Sequence, residues 1–127
     1  MSDRTTNWVS DYRKAWESNR EDDIRALFTD DAMYEFRPHD PEPWVGVDAI
    51  VAGWLSDPDA PGTTSLEWQP VVHEGSISVV QCVVTYLRGN DEASDLPTVY
   101  DCLWVITFAP DGRASHFTEW YMEREKA

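Results

Sequence analysis

The sequence predicts an α+β domain in which a strongly curved, mainly antiparallel sheet folds around three short helices. Three observations predict it. Apolar residues recur at helical spacing in the first half of the chain, whereas the second half reads as long strands. Strands of about ten residues beside only three short helices cannot form a flat, exposed sheet. No internal repeat, low-complexity tract or domain boundary interrupts 1–127, which reads as a single domain.

Each element has its own signal. Trp8, Val9, Tyr12, Ala15 and Trp16 share one face of a helix over 7–19. Asp22 and Asp23 supply an N-terminal signal for a second helix carrying Ile24, Leu27 and Phe28. Thr29-Asp30-Asp31 then turns the chain into a short strand at 33–37, where Tyr34 and Phe36 share a face. Three prolines between Pro38 and Pro43 prevent regular structure. Gly46 and Asp48 start a third helix that buries Ala49, Ile50 and Trp54, and 57–62 ends it as a loop. Strands follow at 65–72, 77–87, 98–108 and 113–122. Glu74-Gly75 and Pro110-Asp111-Gly112 supply tight turns, and 88–97 is a longer polar loop.

Composition bounds the function. A formal net charge of -14 argues against nucleic acid and anionic membranes as partners, since both attract basic surfaces. The segment Met1-Ser2-Asp3-Arg4-Thr5-Thr6 has no apolar core for a signal peptide, and no stretch approaches the roughly 20 apolar residues of a membrane helix. Two cysteines, Cys82 and Cys102, make no disulfide framework, so a reduced, cytoplasmic protein is the expectation. No cluster has metal-ligand spacing, and neither a nucleophile motif nor a phosphate-binding glycine loop is present, so neither metal nor cofactor is expected. Seven Trp, five Tyr and four Phe suit a core that lines a cavity as well as filling space.

The decisive stretch is the last strand, His116-Phe117-Thr118-Glu119-Trp120-Tyr121-Met122. Side chains alternate, so Phe117, Glu119 and Tyr121 share one face while His116, Thr118 and Trp120 share the other. A lone carboxylate on an aromatic face is paired, protonated or functional, because burying its charge without a partner is costly. A four-residue loop at 109–112 would pair Phe108 with Arg113, Trp104 with Phe117, Cys102 with Glu119 and Tyr100 with Tyr121. Tyr12 and Trp16 from the first helix, with Tyr34 and Phe36, then close a cavity around Glu119. An apolar wall raises the carboxyl pKa and suits Glu119 to proton transfer, with a tyrosine hydroxyl within hydrogen-bond reach of it or donating to a developing oxyanion. The structural alternative is a Glu119 that merely accepts hydrogen bonds from a buried Tyr or Trp. His39 and His73 read as exposed loop residues, and Asp101, on the opposite face, as an interface or salt-bridge residue.

Tyr12 to Trp16, the run Ile24-Arg25-Ala26-Leu27-Phe28-Thr29-Asp30-Asp31-Ala32, Gly46-Val47-Asp48-Ala49-Ile50 and the final strand together resemble the nuclear transport factor 2-like superfamily, in its SnoaL-like and ketosteroid isomerase-like branch. The resemblance implies a cone-shaped half-barrel with the helices on its concave side, a deep apolar pocket and frequent dimerisation. It implies an oxyanion-donor position at Tyr12. The positions of the isomerases' two aspartates fall at Phe36 and Trp104, so their steroid chemistry is not carried over. Three readings follow: a cofactor-independent isomerase, cyclase or dehydratase with Glu119 as acid/base; a non-catalytic binder of a small apolar molecule; or an interaction module of the same fold. Candidate catalytic residues are Glu119 and Tyr12, and candidate ligand-binding residues are Trp16, Tyr34, Phe36, Tyr100, Cys102, Trp104, Phe117 and Tyr121. Val83, Leu103, Val105 and Trp120 on the outer face suggest a homodimer through that face.

Overall fold

A computed structural model describes residues 3–87 and 97–125, so the loop expected at 88–97 lies, but for Pro97, outside the described residues. Helix α1 (Asp3–Ser18) buries Trp8, Val9, Tyr12, Ala15 and Trp16 along one stripe. It stops at Asn19, whose φ of 53° is the left-handed conformation that Asn tolerates at a helix end. Helix α2 (Glu21–Arg25) buries Ile24, and helix α3 (Val47–Ser56) buries Val47, Ile50 and Val51.

Among the described residues six strands follow the order β2-β1-β6-β5-β4-β3 in one mixed, curved and unclosed sheet. They are β1 (Phe28–Glu35), β2 (Trp44–Val45), β3 (Thr64–Glu74), β4 (Ile77–Tyr86), β5 (Thr98–Phe108) and β6 (Ala114–Glu123). Among the described residues only β1 and β6 pair in parallel; the other neighbours are antiparallel. The helices cover the inner face, where the buried side chains of β4, β5 and β6 meet α1 in a single core. Pro70 sits in β3 without disrupting the sheet because β3 is an edge strand and bulges there.

Two expectations are corrected. Leu27 and Phe28 do not extend the second helix. Phe28 opens β1 opposite Ala114, the Leu27 carbonyl accepts from the Ala114 N–H at 2.8 Å, and the Trp8 indole donates to the same carbonyl at 2.9 Å. Sheet hydrogen bonds thus override a helical pattern that only five residues follow, and β1 ends at Glu35 rather than 37. The β5–β6 register is also two residues off the expected one. Ala109 and Arg113 close a shorter loop, Ser115 is the extra residue of a bulge, and Trp104 therefore opposes Glu119 while Ile106 opposes Phe117 and Cys102 opposes Tyr121. A shift of two preserves the side-chain parity, so each residue keeps its expected face.

Cys82 and Cys102 oppose each other directly on β4 and β5, both buried and both free thiols. Burial pushes Cys102 up to about 12, with the nearby Glu119 charge adding to the rise, and burial followed by Cys102 raises Cys82 further. Thiol titration of the native protein should leave both unlabelled, and denaturant should release two equivalents. Rapid labelling of either in the native state contradicts this packing.

Gly53 is dictated by its neighbour: a Cβ there would meet the Trp44 ring at 2.2 Å. Overpacking costs about 1–3 kcal/mol and alanine recovers ~1 kcal/mol of helix propensity, so Gly53→Ala should lose about 1 kcal/mol net. Urea unfolding checks it; an unchanged or higher midpoint rejects the tight Trp44–Gly53 contact.

Candidate functional site

The inner face of the sheet, helices α1 and α3 and the loop after α3 leave a cavity of about 540 Å³. Of the residues expected there, Tyr12, Trp16, Tyr34, Phe36, Tyr100, Trp104, Glu119 and Tyr121 line it. Phe117 and Cys102 do not. Phe117 is fully buried behind the wall, where Trp8 and Tyr12 stack on it at 5.7 and 5.8 Å and Tyr34 lies at 4.7 Å, while the Cys102 thiol lies beside Glu119.

Glu119 is half-buried on β6 with Trp104 directly across on β5. Loss of solvation raises its pKa, and the Trp104 indole N–H and Cys102 thiol oppose the rise without cancelling it. These two donors replace the tyrosine hydroxyl expected beside Glu119. The Tyr12 and Tyr34 hydroxyls instead bond each other at 2.9 Å. Burial raises both phenols, and the Glu119 charge contributes to each, which places the carboxylate within electrostatic reach of the pair. The Trp104 N–H favours the charged form of Glu119, yet it completes no hydrogen bond of normal geometry and is buried without a partner.

Several lining residues were missed. The sequence reading makes nothing of Trp44 and places Trp54 on the buried side of the third helix; the first packs edge-on against Phe36 at 4.6 Å and the second against Tyr12 at 5.3 Å. Val84 and Tyr86 continue the inner-face alternation of Val80 and Cys82, a period-two signal present in the sequence. Asp57 and Asp59 enter from the loop after α3, where no periodicity announces them; Asp59 accepts from the Trp16 indole at 2.8 Å.

The opposite face of β6 holds a separate polar cluster. Glu35 is buried and accepts from His116 Nε2, from the Thr118 hydroxyl at 3.1 Å and from the Asp40 N–H at 3.3 Å. His116 thus partners Glu35 rather than Glu119. Asp101 makes a two-pronged ion pair with Arg124 at 2.6 and 3.0 Å. His39 is exposed, but His73 is half-buried and bonded to Ser78 at 2.6 Å, because β3 runs on through Glu74 instead of turning there. Among the described residues no group of three His, Cys, Asp or Glu side chains could hold a metal ion, and no helix is long and apolar enough to cross a membrane.

The SnoaL-like domain profile matches residues 9–117, from α1 to the centre of β6. The chain belongs to the SnoaL-like family. Solved structures share the fold of this SnoaL-like chain at low identity. An NTF-2 like protein of unknown function from Burkholderia xenovorans LB400 is 17% identical over 98% of this chain and 87% of its own, with a TM-score of 0.70. An LEH-like epoxide hydrolase from M. tuberculosis is 15% identical over 94% and 83%, with a TM-score of 0.65. A candidate polyketide cyclase from Sinorhizobium meliloti is 22% identical over 90% and 94%, with a TM-score of 0.59. No protein of curated function matches the sequence.

The buried Glu35 and the half-buried Glu119 of this SnoaL-like domain have pKa values shifted in opposite senses. Glu119 has a folded-state pKa above its unfolded value near ~4.3, so its contribution to stability is present below that value and is lost as pH rises through the folded pKa. Glu119→Gln should therefore melt higher than wild type at pH 8, with the gap shrinking towards pH 4. Burial raises Glu35 too, but the His116, Thr118 and Asp40 hydrogen bonds outweigh it and leave the pKa lowered. Its stabilisation is present above the unfolded value and lost as pH falls through the folded one. Glu35→Gln should melt lower at pH 8, again with a closing gap. Melting curves of both variants across this range check the signs, and a Glu119→Gln protein at or below wild type at pH 8 overturns the first.

Proposed function

We propose that this SnoaL-like protein binds a small, largely apolar molecule in the Glu119 cavity and moves a proton on it without a cofactor, as an isomerase, cyclase or dehydratase does. The observation that carries this reading is the half-buried carboxylate of Glu119, its pKa raised by desolvation, at an aromatic cavity of about 540 Å³. A raised pKa makes Glu119 a stronger base once ionised and a reservoir for the proton once protonated. It would take a proton from an acidic carbon or hydroxyl of the substrate and return it to another atom, or to a departing hydroxide as water.

The tyrosine pair suits the complementary task. One of the two hydroxyls donates to the other, which leaves the acceptor's own proton free to meet an oxygen of the substrate. Both phenols titrate far above neutrality, so they stay protonated as donors. The likeness to an epoxide hydrolase and a candidate polyketide cyclase fits such chemistry at the level of fold. A cavity of this size is not the filled interior of a module that works only through its surface.

Exchange of the α-hydrogens of a small benzylic ketone such as 2-tetralone in D₂O, followed by NMR, tests proton transfer without knowledge of the natural substrate. The wild type should accelerate exchange, and Glu119→Gln should lose about 10²-fold or more while retaining ketone affinity. Equal rates for the two proteins reject the acid/base role. A variant that loses affinity when the wild type never catalysed exchange makes Glu119 a ligand anchor in a binding protein.

We also infer a homodimer through the outer sheet face. Leu103 and Trp120 lie side by side there, 39% and 50% exposed, flanked by the half-buried Val83 and Val105. Sedimentation at micromolar concentration should give a dimer, and Trp120→Glu should shift it to monomer; a monomeric wild type removes the proposal.

A further inference from the structure

We propose that the occupant of the Glu119 cavity is an organic cation, an apolar body carrying a protonated or quaternary amine that sits between Glu119 and the surrounding rings. The inference rests on the cavity being the ligand site and adds the charge of the ligand.

Four observations support a cation over a neutral or anionic molecule. The lining carries three carboxylates, Glu119, Asp57 and Asp59, and among the described residues no Lys, Arg or His. Glu119 has no ion-pair partner among the described residues, and its carboxylate lies beside aromatic rings rather than beside a countercharge. Arg13, on the same helix as Tyr12 and Trp16, is engaged elsewhere: it bonds Glu17 and Thr64 and stacks on Trp16 at 4.9 Å. Finally, Tyr12 and Trp104 meet at 4.8 Å and Tyr12 and Trp54 at 5.3 Å, so ring faces and edges surround the space in front of the carboxylate. Aromatic faces carry negative potential and attract ammonium groups, most strongly where water is excluded.

The floor is also chemically unfinished. The Trp104 N–H opposite Glu119 completes no hydrogen bond of good geometry, so the carboxylate keeps acceptor capacity that a ligand's donor can use. A hydrocarbon would leave the carboxylate desolvated and uncompensated, at a cost. An anion would meet three carboxylates and the field of a chain of net charge -14. An ammonium compensates the carboxylate, uses the ring faces and is drawn in by that field.

Shape can be separated from charge with matched probes. Phenyltrimethylammonium, its neutral isostere tert-butylbenzene, and benzoate would be titrated at pH 8 and 0.15 M ionic strength, read by tryptophan fluorescence and melting shift. The cation should bind at least tenfold more tightly than the isostere, and benzoate most weakly. Glu119→Gln should remove most of the preference while leaving tert-butylbenzene affinity within threefold. The wild-type comparison needs no variant. If tert-butylbenzene binds as tightly as the cation, the charge inference is overturned and the cavity remains an apolar ligand site. If none of the three binds, both the inference and the ligand-site reading fall.

Discussion

The structure turns on the packing of one ring, Phe117. It sits fully buried on β6 with Trp8 and Tyr12 stacked against it from α1, Tyr34 from β1 and Trp104 from β5. Ring pairs at such separations stabilise by about 0.5–1.5 kcal/mol each beyond their burial. Phe117 therefore ties the first helix, the first strand and the last two strands at a single point. Glu119 is two residues further along the same face, so its position above that cluster is fixed by strand geometry. The tyrosine pair is fixed in the same way, since both of its rings pack on Phe117 before their hydroxyls meet.

One strand thereby presents two carboxylate environments of opposite sense. Glu119, on the inner face of β6, has a thiol and an indole beside it, the indole completing no hydrogen bond of normal geometry, and desolvation dominates. Glu35 lies against the outer face of the same strand, where His116, Thr118 and a backbone N–H meet it, and hydrogen bonding dominates. Burial alone does not distinguish them. The number of donors does, and the Glu35 cluster also anchors the proline loop through Asp40, whose carboxylate in turn accepts the Phe36 N–H. Glu35 thus holds the end of β1 beside Phe36 and the cavity, while Glu119 is left for whatever the cavity receives.

Much of this was legible in the sequence because alternation is a robust signal. The face on which Glu119, Tyr121 and Trp104 lie depends only on parity, and parity survived an error of two residues in the β5–β6 register. The cross-strand partners did not survive, since the bulge at Ser115 has no composition of its own. The Leu27-Phe28 segment failed for a different reason. Its local pattern is helical, and only its distant partner Ala114 makes it a strand. Trp44 and Asp59 were invisible for a third reason: one sits in a strand of two residues and the other in a loop, and neither offers room for a period of two or of 3.6 to show.

The same division explains the character of the site. Residues legible by periodicity, from α1, β5 and β6, make its apolar wall and carry Glu119. Residues not legible, Asp57 and Asp59 in the loop after α3, add the charge at one side of the cavity. Trp16 joins the two sets, since its ring belongs to the helical stripe and its indole N–H donates to Asp59. An aromatic wall alone would select ligands by shape and apolar area. A carboxylate set within such a wall adds selection by charge, because Glu119 is partly removed from water and a ligand of the right sign restores what burial took away. The fold supplies the container, and the sign of its few polar groups decides what the container favours.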